Sequence, residues 1–326
     1  MPVYADPAEG ATVRVPLLRA WTVALLGTLG TPGDIASDVA EILLAADRRG
    51  IASHGTARLP NYVALVEAGV MEPAARPTLE RERAALARFD ARNGWGHHAC
   101  RVAVDWAVDR AASAGSRALR PLIGTNPIAL AAPAGRWGAF CLDMATSTIP
   151  RGRIEVAGRR GETLPAGWAI GPDGRPATTP DDALAGALLP LGGLEETAGY
   201  KGYGLGLGVD ILTGVLAGAT FGPNIIGLFS TEAPSDLGQA FMVIDPAALD
   251  EAGAFESRLE GYLDQLTSAQ TVPDAPGRVL VPGEPEAAAE ARSDERGIAI
   301  DARHHGSLVE LGERRGVPFP DVEQTA

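Results

Sequence analysis

Six consecutive residues, Ser53-His54-Gly55-Thr56-Ala57-Arg58, put an imidazole and a guanidinium four positions apart. Imidazole titrates near neutrality, so His54 is a candidate for moving a proton. If the segment turns helically, Arg58 falls one turn beyond His54, and its planar fork matches a small carboxylate. Ser53 adds a hydroxyl beside them. Taken singly, each has a plainer reading: a histidine among turn residues is usually structural, and an arginine is usually a solvated charge.

Other segments carry polar groups of a suitable kind. Gly124-Thr125-Asn126-Pro127 precedes an apolar run. It is either an ordinary loop leading into a strand or a place where the Asn126 amide orients a ligand among apolar walls. Asp143-Met144-Ala145-Thr146-Ser147 ends a strand, where hydroxyls and backbone N–H groups suit phosphate or ribose; the plainer alternative is that Thr146 or Ser147 caps a helix. Lys201 is the sole lysine, arginine supplying the rest of the positive charge. An ammonium beside glycines at a helix start can meet phosphate or carboxylate; the alternative is a surface lysine. In His97-His98 and His304-His305 the neighbours point in different directions, so neither pair makes a two-ligand metal site. Both read as structural or exposed, and no metal is expected. No Gly-x-Gly-x-x-Gly follows a first strand and no Walker sequence is present, which argues against Rossmann and P-loop enzymes.

The elements that must hold these groups read as an α/β chain. Helical periodicity runs from Val15 to Arg49, reset by a Thr31-Pro32-Gly33-Asp34 turn with Asp34 as N-cap. Further helices are expected at Leu59 to Ala68, His98 to Ala114, Tyr203 to Leu216 and Ala254 to Leu266, and again from Ala287 onward. Buried strands are expected at Ile128 to Ala132 and Ala139 to Asp143, and shorter ones at Ala85 to Asp90 and Phe241 to Asp245. Residues 150 to 195 read as loops with short elements. With 326 residues, 46% hydrophobic and 21% charged, the chain has material for a sizeable core and for two domains. A net charge of −13 repels phosphate backbones and anionic lipid, so neither nucleic acid nor membrane is an expected partner. Cys100 and Cys141 lack zinc or disulfide-framework spacing and read as buried, reduced thiols. No leader pattern is visible at the first residues, and the expected location is the cytoplasm.

The order of the short motifs says more than any one of them. Asp47-Arg48-Arg49-Gly50-Ile51-Ala52-Ser53-His54-Gly55, Asn93-Gly94-Trp95-Gly96, Gly124-Thr125-Asn126-Pro127-Ile128-Ala129, Asp143-Met144-Ala145-Thr146-Ser147, Leu164-Pro165-Ala166-Gly167-Trp168, Pro190-Leu191-Gly192-Gly193, Lys201-Gly202-Tyr203-Gly204-Leu205 and Pro282-Gly283-Glu284 follow one another. The series resembles the malate/L-lactate dehydrogenase family, which includes sulfolactate and ureidoglycolate dehydrogenases and cyclic-imine carboxylate reductases. The likeness runs from about residue 15 to residue 305. It implies a non-Rossmann α/β fold with a mixed central sheet. A helical domain would be formed by both chain ends (residues 1–80 plus 255–326), and a nicotinamide-binding α/β domain by residues 81–254. It implies a cytoplasmic homodimer that uses NAD or NADP to move hydride to or from a 2-oxo or 2-imino acid. Carried over by motif, His54 is the catalytic candidate, and Ser53, Arg58 and Asn126 would bind substrate, with Arg58 on its carboxylate. Asp143, Met144, Ala145, Thr146, Lys201 and Gly238 would bind cofactor.

There is one departure. The family carries an Asn-His-x-Gly motif, holding its usual proton-transfer histidine, before Gly-Thr-Asn-Pro. Here Ala114-Gly115-Ser116-Arg117-Ala118-Leu119-Arg120-Pro121 joins the flanking segments directly, and Asn-His occurs nowhere. Either His54 takes over as acid and base, or the protein is a catalytically impaired cofactor-binding relative, or the gap reflects a misread or decayed gene. A structural protein that binds no nucleotide is the remaining class.

Overall fold

A computed structural model describes residues 10–83, 86–110, 126–226, 230–248, 251–272 and 277–325. The first strand, β1 (Gly10–Val13), leads into α1 (Val15–Gly27), and α2 (Gly33–Arg48) and α3 (Leu59–Glu67) follow. Pro16 sits in the first turn of α1, where its missing N–H costs nothing. Leu18, Trp21, Leu25 and Leu26 of α1 and Ile35, Val39, Leu43 and Leu44 of α2 recur at helical spacing and are buried in one apolar cluster. The two helices pack on each other. Asp34 is not the N-cap: Pro32 takes that place without a side-chain bond. Proline fixes the backbone for the turn and Gly33 enters the helix directly, leaving Asp34 in the first turn, where its charge suits the helix N-terminus. There Asp34 is paired with Arg76 at 2.8 and 2.9 Å.

The far end of the chain completes this unit. Helix α9 (Glu284–Arg296), strand β8 (Ile298–Asp301), helix α10 (Ala302–Arg315) and strand β9 (Glu323–Thr325) come in that order. β1 lies between β8 and β9, antiparallel to both. Val13, Ile298 and Ile300 enter the main cluster along with Leu308 and Leu311 of α10. Arg48 and Arg49 at the end of α2 reach Asp294 and Glu290 on α9 at 2.6–3.0 Å. Such exposed pairs add little stability, but they fix how α9 lies along α2.

Between these ends lies a set of smaller pieces. β2 (Thr78–Arg83) pairs with β3 (Leu86–Asp90), β4 (Ile128–Pro133) with β5 (Ala139–Met144), and β6 (Ala169–Ile170) with β7 (Ala187–Leu188), all antiparallel. The helices of this region are α4 (Gly96–Arg110), α5 (Arg151–Arg160), α6 (Pro180–Ala185), α7 (Gly199–Asp210) and α8 (Ala254–Thr267). A wider turn at Ile211–Val215 continues α7.

Several expectations are corrected here. Strands β4 and β5 form, but they are not buried: Leu130 is 57% exposed. No strand forms at 241–245, and Met242 and Ile244 are 64% and 63% exposed. A strand exists only where a neighbour takes up its N–H and C=O groups; among the described residues none does so for this segment. Cys141 is exposed rather than buried. Cys100 is partly buried, its thiol pushed up to about 11 by desolvation. Helix α8 packs on the Gly135–Trp137 turn. There Arg136 pairs with Glu260 and Asp264, and Trp137 Nε1 donates to Asp264 at 3.0 Å. The join from 114 to 121 lies outside the described residues.

Candidate active site

Just past the end of α2, Gly50 takes a φ of +76°, a left-handed conformation that glycine adopts freely. The chain then folds back: Ile51 N donates to Ala46 O at 2.8 Å and His54 N to Ile51 O at 2.9 Å. A single 3-10 turn, Thr56–Arg58, leads into α3. Asp47, in the last turn of α2, is buried beneath this loop. Its carboxylate accepts from Thr56 N at 2.9 Å and Thr56 Oγ1 at 2.7 Å. Desolvation raises its pKa to about 6 against the opposing pull of those two bonds. A Cβ at position 55 would stand 1.8 Å from Asp47 Oδ1, so only glycine fits against Asp47 there.

His54 sits on the outer side of the loop with Nδ1 2.8 Å from Ser53 Oγ. Desolvation on its inner side, then the Arg58 charge, lower its pKa, while Asp143 and Glu155 pull it up. Arg58 Nε donates to Ser53 O at 2.6 Å and Nη2 lies 3.2 Å from Glu155 Oε2. Glu155 also meets Arg151 at 3.3 Å, both on α5. Gly152 lets α5 approach this closely, since a Cβ there would come within 2.8 Å of Ser53 Cβ and 3.1 Å of Arg58 Nη2.

The opposite side comes from β4, β5 and α7. Asp143 stands across the ladder from Ala129, and Met144 across from Ile128. Asn126, just before β4 and at a φ of +36°, donates from Nδ2 to Gly206 O of α7 at 3.0 Å. Thr146 is buried, and its carbonyl accepts from Leu191 N at 2.8 Å. Leu191 in turn receives α7, because Gly202 presents no side chain there; a Cβ would lie 2.1 Å from Leu191 O. Lys201, one residue earlier, is exposed, its Nζ 6.0 Å from the Tyr200 ring centre, and among the described residues no carboxylate pairs with it. Gly202→Ala should therefore push α7 off the Pro190–Gly193 loop. Such overpacking costs about 1–3 kcal/mol, and it should appear as a lowered Tm with weakened nucleotide binding in isothermal titration.

The sequence-derived residues thus fall into linked groups. Ser53, His54 and Arg58 share one loop, and Asp143 lies within electrostatic reach of His54. Asn126 and Lys201 meet through α7, with Met144, Ala145 and Thr146 on the strand exit beside them. Gly238 sits at the other end of that helix, where a Cβ would lie 1.6 Å from Thr213 O. The plainer reading of Thr146 and Ser147 as helix caps does not hold: α5 starts behind Pro150 with no side-chain cap, and Ser147 Oγ donates to Ile149 O at 2.8 Å. Two residues were missed as site groups. Asp47 lay in a quoted motif, but its burial under the loop is tertiary. Glu155 lay in a stretch read as loop. Among the described residues no three His, Cys, Asp or Glu side chains cluster as a metal site.

The chain resembles known proteins over most of its length. The malate/L-lactate dehydrogenase family model matches residues 13–120 and 116–309. A malate dehydrogenase of Pyrococcus abyssi is 33% identical, the match covering 95% of this chain and 97% of that protein. A (2R)-3-sulfolactate dehydrogenase (NADP(+)) of Chromohalobacter salexigens is 30% identical, with 93% of each covered. The solved structure of a delta1-piperideine-2-carboxylate reductase from Pseudomonas syringae pvar. tomato superposes with a TM-score of 0.78 at 29% identity, covering 92% of this chain and 99% of that one. The fold is therefore that of an α/β class of dehydrogenases and reductases lacking the Rossmann glycine loop. The chain belongs to the malate/L-lactate dehydrogenase family. The two matched stretches meet within residues 116–120. The Pyrococcus alignment runs over 355 positions, more than the 326 residues of this chain, so that relative carries residues this one lacks.

Proposed function

We propose that this chain is an NAD- or NADP-dependent oxidoreductase that moves hydride between the nicotinamide and a small 2-hydroxy/2-oxo acid or cyclic imino acid. The reading rests most on one juxtaposition: a proton-capable imidazole, His54, beside a carboxylate-binding guanidinium, Arg58, facing Asp143 at the strand exit. The donor set fits a dinucleotide. Lys201 offers an ammonium with no carboxylate partner among the described residues, suited to a phosphate, and the partly buried Met144 and Ala145 offer an apolar wall beside the Asp143 carboxylate. When bound, the nicotinamide supplies the hydride donor or acceptor. Arg58 takes the substrate carboxylate, for which Glu155 is the competing internal partner. His54 gives a proton to the developing alkoxide or amine and takes it back in the reverse direction. Ser53 holds the His54 ring through Nδ1, and Asn126 fixes the strand to α7. Thr146 and Gly238 act on the cofactor side through the backbone they shape.

A second reading has an observation behind it: the family's Asn-His-x-Gly segment has no counterpart in the sequence. That favours a cofactor-binding relative of low turnover. Mixing the protein with NADH or NADPH and a panel of 2-oxo acids and cyclic imines separates the two. Loss of reduced-cofactor absorbance with any substrate is expected for the enzyme; tight nucleotide binding with none identifies the impaired relative; no binding of either nucleotide rules both out. The resemblance further supports a cytoplasmic homodimer with a helical unit at the chain ends and an α/β unit between them. Sedimentation equilibrium tests the dimer. The charge of −13 supports a small-molecule partner over nucleic acid or membrane.

A further inference from the structure

The loop carrying His54 and Arg58 is held by groups with no direct part in the chemistry above. Thr56 has one hydroxyl proton. With Oγ1 2.7 Å from a carboxylate that only accepts, that proton goes to Asp47 Oδ2. The hydroxyl oxygen is then left to accept, and His304 Nε2 of α10 lies 3.4 Å from it. His304 is buried and held neutral, its pKa pushed down to about 4 chiefly by desolvation. It therefore carries one ring proton, and the geometry requires that proton on Nε2. The result is a one-way chain, from His304 Nε2–H to Thr56 Oγ1–H to Asp47. The helix that brings His304 is itself started by Asp301, whose carboxylate accepts from His304 N at 2.8 Å. Asp47 meanwhile contacts Gly55 so closely that no side chain fits.

We propose that Asp47, Thr56 and His304 form a buried positioning relay that sets the His54–Arg58 loop, so that the C-terminal helix α10 governs the geometry of the substrate-facing groups. This rests on the reading of His54 and Arg58 as those groups. Thr56 is the positioning residue, acting through the backbone of Gly55 and Ala57 rather than on substrate. Thr56→Val keeps the shape and removes the hydroxyl; Thr56→Ser keeps the hydroxyl. His304→Leu breaks the outer link.

Two readouts are needed, one independent of turnover. Amide exchange of residues 53–58 is expected to quicken at least about ten-fold in Thr56→Val and His304→Leu, while the amides of α1 stay protected, and Thr56→Ser is expected to restore protection. In steady-state kinetics, Thr56→Val should lower kcat and raise KM for the acid substrate, with kcat/KM down about 10–100-fold and nucleotide affinity unchanged. Unchanged exchange in both variants overturns the relay. So does faster exchange with normal kcat/KM in an active parent protein. If the parent shows no turnover while exchange responds as described, the function assigned above fails and the relay stands. Should Thr56→Val not fold, Asp47→Asn provides the same two readouts.

Discussion

Arg58→Ala is expected to lower kcat/KM for a carboxylate substrate by about 10²–10³-fold, almost wholly through KM. A guanidinium that binds a carboxylate through two parallel bonds contributes ~3–4 kcal/mol when both partners are shielded, and each 1.4 kcal/mol is a factor of ten. In the unliganded protein Arg58 is held from both sides, Nε on Ser53 O and Nη2 at Glu155. It is therefore pre-set, and little side-chain entropy is spent when substrate replaces Glu155. Arg58→Lys keeps the charge but not the fork, and should recover only part of the loss. KM for the nucleotide should not move. Nor should the Tm fall far, because Glu155 retains Arg151. An Arg58→Ala protein with the parental KM for every acid tested would end the carboxylate assignment.

Removing the imidazole acts on the other kinetic constant. His54→Gln is expected to lower kcat by about 10²–10⁴-fold, the usual share of a placed acid or base. The pH profile carries the sign. In the reducing direction His54 must be protonated, and desolvation together with Arg58 holds its pKa below the ordinary 6.5. Reduction should thus be fastest in acid and fall as pH rises through that lowered value. Oxidation requires the neutral ring and should rise over the same interval. His54→Gln should remove both limbs. A parent profile flat across this range, or one unchanged in the variant, would assign the proton to another group.

The helices whose faces repeat over several turns were legible because their burial is local in sequence. Leu18, Trp21, Leu25 and Leu26 announce α1 without knowledge of what covers them. The order of short motifs likewise disclosed the His54–Arg58 loop, whose entry is marked by Gly50 at a φ of +76°. What escaped depends on distant partners. β1 is four residues long, and its two neighbours, residues 298–301 and 323–325, lie at the other end of the sequence; no alternation that short identifies a central strand. Phe241 to Asp245 has strand-like residues, yet the state of such a segment is decided by its neighbour. Helix α5 hides in Arg151-Gly152-Arg153-Ile154-Glu155-Val156-Ala157-Gly158-Arg159-Arg160, where two glycines and few apolar residues blur the period. Missing it also hid Glu155, which matters only because Gly152 brings that helix against Arg58. Asp47 looked like one charge among the Asp-Arg-Arg of a helix end. Its inward direction follows from the fold-back at Gly50, which a linear pattern does not encode.

The placement of β1 between β8 and β9 has a consequence for how the molecule is made. Gly10 stands opposite Thr325 and also opposite Asp301, so β1 finds neither edge neighbour until residues 298–325 have left the ribosome. Until then the part of the α1–α2 cluster that meets Ile298, Ile300, Leu308 and Leu311 stays uncovered, a period in which chaperone engagement is expected. The same adjacency means that a short glycine linker can join Gly10 to Thr325, and the chain can then be opened at a surface turn such as Gly161.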